Sequence, residues 1–255
     1  MTEAIRFEKD SDNIVTLTMD MPGQSANTMN GDFRTAILEI SERIEKEIDS
    51  ISGVIYASAK KTFFAGGDLN ELITAQPEDA KEFFNMVEII RAPLRKIETL
   101  GVPVVAAING AALGGGFEIC LASHHRVAIN DKKVIVGLPE VTLGLLPGGG
   151  GVARMTRMLG LENGLPYLME GKQLKVEKAL KVGLIDEVAT DVDDMMSKAK
   201  AWIKANPKSQ QPWDVKDTNY QVAHHQTQLS LKSLQLSLLF FVKKPKAASL
   251  LLRRS

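Results

Sequence analysis

Between Ile14 and Met19 apolar and polar residues alternate, with Val15, Leu17 and Met19 set against Thr16 and Thr18, the pattern of a half-buried strand. The period then changes: Phe33, Ile37, Ile40, Ile44 and Ile48 recur at helical spacing and predict an amphipathic helix. Gly53 breaks that helix, and Val54–Ala57 predicts a buried strand. A second helical stripe runs through Phe83, Val87, Ile90, Leu94 and Ile97. After Pro103 a short strand, Val104–Ile108, is closed by Asn109-Gly110, and Val127–Ile129 and Val134–Val136 predict two more. Helical patterns dominate from Val152, with one segment, Glu177–Lys181, ending at Gly183 ahead of the apolar run Leu184–Val188. A helix around Trp202 leads into a linker marked by Pro207 and Pro212. Strands alternating with helices imply βαβ units and a mostly parallel sheet with right-handed crossovers. There is no internal repeat.

Composition narrows the class. The 255 residues are 44% hydrophobic and 24% charged, enough for a real core, and the formal charge is zero, which implies neither nucleic acid nor a charged membrane as partner. The average hides an asymmetry, because residues 221–255 hold six of the basic residues and no acidic one. The single cysteine, Cys120, excludes an internal disulfide, suits a reducing compartment and sits in an apolar run as a packed thiol. The first residues mix acids and bases without an apolar run, so no signal peptide is expected, and no stretch reaches the ~20 apolar residues of a membrane span. These features imply a soluble, cytoplasmic protein.

The candidate chemistry lies among the glycines, eleven of the twenty falling between Gly101 and Gly151. Gly114-Gly115-Gly116 follows a strand and opens an apolar helical run, so its N–H groups point out of a helix start, where anions are favoured. The competing reading is a tight turn packed for its own sake. A second donor turn, Ala65-Gly66-Gly67-Asp68, follows Phe63-Phe64, and Asp68 there also suits the cap of a helix beginning near Leu69. Two such turns on neighbouring strand ends form a pocket for one developing oxyanion, in which each donor is worth ~3 kcal/mol to the transition state. Glu118, in the first turn of its helix, and Glu140, in Leu138-Pro139-Glu140-Val141, each lie beside a glycine turn. Singly they read as a dipole-complementing residue and a loop residue; paired in an apolar site, two carboxyl groups divide acid and base roles.

A competing motif, G-x-G-x-x-A at Gly148, Gly150 and Ala153 with Glu170 beyond it, matches a dinucleotide fingerprint. Its context is wrong: Pro147 abuts the first glycine, Gly144 breaks the preceding strand, and Glu170 with Gly171 reads as a helix-to-helix turn. No other His or Cys stands at ligand spacing from His124 and His125, and His224 and His225 belong to the tail, so no metal site is expected.

Asn109 through Glu118 resembles the first signature of the crotonase (enoyl-CoA hydratase/isomerase) superfamily, Leu138-Pro139-Glu140 through Gly151 is similar to its second, and Phe64–Leu69 to its coenzyme A-binding turn. Pro22-Gly23, Asn27-Thr28-Met29, Ala201-Trp202-Ile203 and Gln211–Asp214 bring the chain nearer to the N-terminal hydratase/isomerase domain of the multifunctional fatty-acid β-oxidation proteins, where a dehydrogenase follows. The resemblance covers roughly residues 3–205. It implies an α/β fold, a spiral of ββα units with a helical C-terminal region, organised as a core over 1–190, a terminal helix and linker start over 191–220, and an atypical basic tail over 221–255. It implies that the Ala65 and Gly115 N–H groups bind the thioester oxygen, and that Phe63, Gly66, Gly67, Asp68, Leu69, Gly114, Pro139 and Gly148 contact substrate. By the same analogy Glu140 is the base and Glu118 the acid in hydrating 2-enoyl-CoA to 3-hydroxyacyl-CoA, with Δ3–Δ2 isomerisation at one site. An inactive acyl-CoA-binding remnant, an isomerase or a thioester hydrolase are the alternatives. No cofactor is implied beyond the coenzyme A thioester substrate; a homo-oligomer, or a thiolase as complex partner, is. The stripe Phe83–Ile90 is expected to line the acyl pocket. After Tyr220 the likeness ends, and the tail, without Gly, Asp or Glu, reads as a reading-frame change or truncation, with a docking helix over Leu229–Val242 as the alternative.

Overall fold

The computed structural model describes residues 4–68, 71 and 76–216. β1 (Ile5–Lys9) and β2 (Ile14–Met19) form an antiparallel hairpin, and α1 (Gly31–Lys46) follows, capped by the Asn30 side chain, which accepts from Phe33 N at 3.0 Å. Phe33, Ile37, Ile40 and Ile44 of α1 are buried, as their spacing predicts. β3 (Gly53–Ser58) is followed by α2 (Ala80–Thr99); β4 (Val104–Ile108) and β5 (Ala112–Leu113) by α3 (Gly115–Leu121); β6 (His125–Ile129) and β7 (Ile135–Gly137) by α4 (Gly151–Glu170). β8 (Leu174–Lys175), α5 (Val176–Lys181), β9 (Glu187–Ala189) and α6 (Val192–Ala205) complete the described fold.

The strands sort into two sheets. A six-stranded sheet runs β1-β2-β3-β4-β6-β9, parallel except for the β1 edge, and a small sheet runs β5-β7-β8. Each successive unit places its first strand in the large sheet and its second in the small one: β4 then β5, β6 then β7, and β3 followed by the bridge of Phe64 to Ala112. This is the expected spiral of ββα units.

β4 shows why a parallel strand reads as an unbroken apolar run. Val104, Ala106 and Ile108 face the main core with α1 and α2, whereas Val105 and Ala107 face a second core with Met195, Ala199 and Ile203 of α6. Gly53 is therefore not a separator but the first residue of β3, and a Cβ there would lie 2.5 Å from Ile203 Cγ2. Two further expectations are corrected. The residues between α4 and α5 contain β8, so Glu170-Gly171 is not a helix-to-helix turn. Leu184 and Ile185 are buried in a loop, and the strand begins only at Glu187. The expected helix start at Leu69, the tail and its docking helix lie outside the described residues.

Candidate active site

The turn after β3 is built around the buried amide of Asn27. Its Nδ2 donates to Met19 O, Ser58 Oγ and Phe63 O at 3.2, 2.9 and 3.2 Å, and its Oδ1 accepts from Met21 N at 3.1 Å. Its main-chain carbonyl accepts the Ala65 N–H at 2.8 Å. That bond overturns the assignment of Ala65 as an oxyanion donor, because its N–H is already consumed. Phe63 is corrected as well: its side chain is fully buried in the core and lines no cavity of the site. At Gly66, φ is +106° and a Cβ would lie 3.1 Å from Leu113 O, so glycine alone lets the turn approach β5 so closely. The next residue, Gly67, lines the cavity, and its N–H has no hydrogen-bond partner among the described residues.

The triple glycine is equally determined by close approach. Gly114, between β5 and α3, has φ +53° and donates to Gly137 O at 2.9 Å, while its own carbonyl accepts from Phe117 and Glu118. A Cβ on Gly115 would lie 2.4 Å from Met29 Sδ, and one on Gly116 2.5 Å from Phe64 O. The Gly115 N–H, like that of Gly67, has no partner among the described residues.

Both glutamates reach the same cavity of about 200 Å³, together with Gly67, Gly115 and the apolar side chains of Met29, Phe83, Met86, Val87, Ile90, Leu145 and Leu146. Glu118 is only 2% exposed. Its Oε2 accepts from Gly149 N at 2.8 Å and its Oε1 from Gly151 N at 2.7 Å. Burial pushes its carboxyl up, against the pull of these amides and of Arg154. Glu140 opens the short helical turn Glu140–Leu143, and its Oε2 is buried without a hydrogen-bond partner among the described residues. Burial, with the Glu118 charge adding to it, pushes Glu140 up to about 7. Asp68 and Glu71 complete the acidic rim, the latter bound to both guanidinium nitrogens of Arg34 at 2.7 and 3.1 Å.

A second cavity, of about 440 Å³, adjoins the first through Gly67, Asp68, Glu140 and Leu145 and continues along Gln24, Thr28, Gly66, Gly114 and Pro139. Of the expected substrate contacts, Gly66, Gly67, Asp68, Gly114, Pro139 and Gly148 line one cavity or the other, and Leu69 lies outside the described residues. A larger space of about 750 Å³ lies between β1 and α1 and contains neither glutamate, so size does not locate the chemistry.

The dinucleotide reading fails on this geometry. The loop before α4 follows a helical turn rather than a strand, and Gly148 packs on Val87, Gly150 on Arg154, and Gly149 and Gly151 on Glu118. Two donors escaped the sequence reading, Gly149 and Gly151, because nothing in the run Gly148–Gly151 says which amide meets the glutamate some thirty residues earlier. The buried pair Glu98–Arg154 escaped for the same reason, although charges within the apolar patterns of two helices were the visible signal. Among the described residues no group of three or more His, Cys, Asp or Glu side chains could hold a metal, and no helix is long and apolar enough to cross a membrane.

Residues 9–244 match the family described as "Enoyl-CoA hydratase/isomerase". The chain belongs to that crotonase family. It is 39% identical over 211 residues to the fatty acid oxidation complex subunit alpha of Idiomarina loihiensis, covering 82% of this chain and 29% of that protein. To the subunit of the same name from Shewanella loihica it is 42% identical over 193 residues, 75% of this chain and 27% of that one. The chain thus spans under a third of the length of these relatives. Among solved structures, an enoyl-CoA hydratase from Bacillus anthracis matches with TM-score 0.71 and 29% identity over 80% of this chain and 76% of that one. Pseudomonas aeruginosa DspI matches with TM-score 0.70 and 25% identity over 94% and 96%.

Proposed function

We propose that the chain hydrates 2-enoyl-CoA to 3-hydroxyacyl-CoA, a step of fatty-acid β-oxidation, and that the same site shifts Δ3 double bonds to Δ2. The observation that carries this reading is the meeting of two carboxyl groups and two amides without partners among the described residues in one apolar-walled cavity. Gly67 and Gly115 N–H groups, rather than Ala65 and Gly115, polarise the thioester carbonyl and stabilise the enolate-like intermediate. The adjoining cavity takes the pantetheine arm, and the side chains from Phe83 to Ile90 take the acyl chain.

The hydrogen bonding favours the reverse of the acid–base order drawn from analogy. Burial raises the Glu118 carboxyl, but amide donors on both oxygens, with Arg154 behind them, oppose that shift and hold its charged form; among the described residues no such donors serve the buried oxygen of Glu140. This suits Glu118 to take a proton from water as the oxygen attacks C3. Glu140, without such donors on its buried oxygen and raised to about 7, holds the proton that C2 receives. The net change is addition of hydroxide at C3 and a proton at C2, and exchange with solvent resets both carboxyl groups.

The chemistry needs no cofactor beyond the thioester substrate. In a β-oxidation complex a thiolase is the partner to seek, and a cytoplasmic site of action follows from the same reading. Loss of conjugated enoyl-thioester absorbance, followed with crotonyl-CoA and longer homologues, tests the assignment. Acyl-CoA binding without turnover at any chain length would replace it by a non-catalytic binding role.

A further inference from the structure

The loop that grips Glu118 is itself gripped from its other side. Arg154 of α4 donates Nη1 to Gly149 O at 2.9 Å, and Nε and Nη2 to the two oxygens of Glu98 in α2 at 3.0 and 2.7 Å. Both side chains are buried. This sandwich accounts for three consecutive glycines. A Cβ on Gly149 would lie 2.8 Å from Glu118 Oε2, one on Gly150 2.4 Å from Arg154 Nη1, and one on Gly151 2.9 Å from Glu118 Oε1. Arg95 extends the network outward, reaching Glu98 at 2.9 Å and Asp214 at 2.8 Å.

We propose, resting on the hydratase reading, that Arg154 and Glu98 form a positioning pair that fixes the Gly149–Gly151 loop so that both amides hold the Glu118 carboxylate on the substrate cavity. Arg154 touches neither the cavity chemistry nor the reacting atoms; it acts through the loop. The groups facing Glu118 are Glu140, Asp68 and the Arg34-bound Glu71 on the cavity side, Arg154 from α4, and Glu98 of α2 behind it. Arg154 opposes the burial of Glu118 and so favours its charged form.

Removing one member of a buried pair leaves an orphan charge, whereas replacing both by apolar side chains of similar volume preserves folding. The test is therefore the double variant Glu98→Leu/Arg154→Met in the full chain, beside Arg154→Lys and the isosteric Glu98→Gln. Amide hydrogen exchange over residues 146–152 should be at least about tenfold faster in the double variant while the strands exchange as in the parent. Hydration of crotonyl-CoA should lose about 10²-fold in kcat with KM changed by less than about threefold, and the acid limb of the pH profile should move to higher pH. Arg154→Lys, which keeps the charge but not the fork, should return the limb toward the parental position more than it returns kcat.

A pair with a purely structural role would lower Tm and leave the acid limb in place. Parental loop protection, or parental kcat and acid limb in a folded double variant, overturns the proposal. If the double variant does not fold, Glu98→Gln is judged by the same two measurements. An inactive parent, or a Glu118→Gln variant as active as the parent, instead sinks the hydratase reading, and the exchange measurement then decides the positioning claim by itself.

Discussion

Two glutamates of ordinary appearance acquire different chemistry from what surrounds them. Glu118 has an amide on each oxygen, while Glu140 keeps a buried oxygen without a partner among the described residues. Replacing either by glutamine should cut crotonyl-CoA hydration by about 10²–10⁴-fold, measured by enoyl-thioester absorbance, without unfolding the chain. Wild-type turnover in either variant would refute the assignment. Glu140 also carries a pH signature. Its folded value is raised from 4.5 to about 7, so the native chain keeps a proton that the unfolded chain releases. Its contribution to stability therefore declines as pH rises through that window. Compared with the parent, Glu140→Gln should gain relative Tm between pH 5 and 8; a constant difference would contradict the raised value. In the parent, kcat/KM should fall above about pH 7 as Glu140 loses its proton.

At the scale of elements, α6 packs on the sheet through Met195, Ala199 and Ile203, and one of these contacts is an especially close approach. Ile203 packs where Gly53 opens β3, with no room for a further methyl group. Gly53→Ala should lower stability by about 1–3 kcal/mol through overpacking, and Ile203→Ala by about 2–5 kcal/mol through the cavity it leaves. In Gly53→Ala/Ile203→Ala the two costs should sum to less than their separate values, read from urea denaturation. Simple additivity would mean that the two residues do not share the contact. The elements themselves were largely legible: the stripes on α1 and α2 and the apolar runs of β3 and β4 fall where their periods put them. What the pattern misjudged was local. It took Gly53 for a break because glycine interrupts helices, whereas here it admits a helix from another part of the chain. It missed β8 because two residues carry no period.

Across the whole molecule, Asn27 links the end of β2, the end of β3 and the donor turn through one buried side chain and its carbonyl. Asn27→Ala would orphan the Phe63 carbonyl and the Met21 amide and leave Met19 O with the Ala59 N–H as its remaining donor. It should cost at least about 3 kcal/mol in urea unfolding and lower kcat as well, since the turn bearing Gly67 loses its anchor. A loss of stability with kcat intact would separate the anchor from the chemistry.

The helical stripes of α1 and α2, the apolar runs of β3 and β4, and the glycine turns with their neighbouring acids were determined by the sequence itself, because those properties depend on residues a few positions apart. Tertiary structure alone decided which amide in each turn stays free, since Asn27 consumes the Ala65 N–H while that of Gly67 has no partner among the described residues. It also decided that Gly149 and Gly151 serve Glu118, that Phe63 belongs to the core, and that Glu98 meets Arg154. Those outcomes rest on hydrogen bonds and burial between segments far apart in the chain, and no local period encodes them.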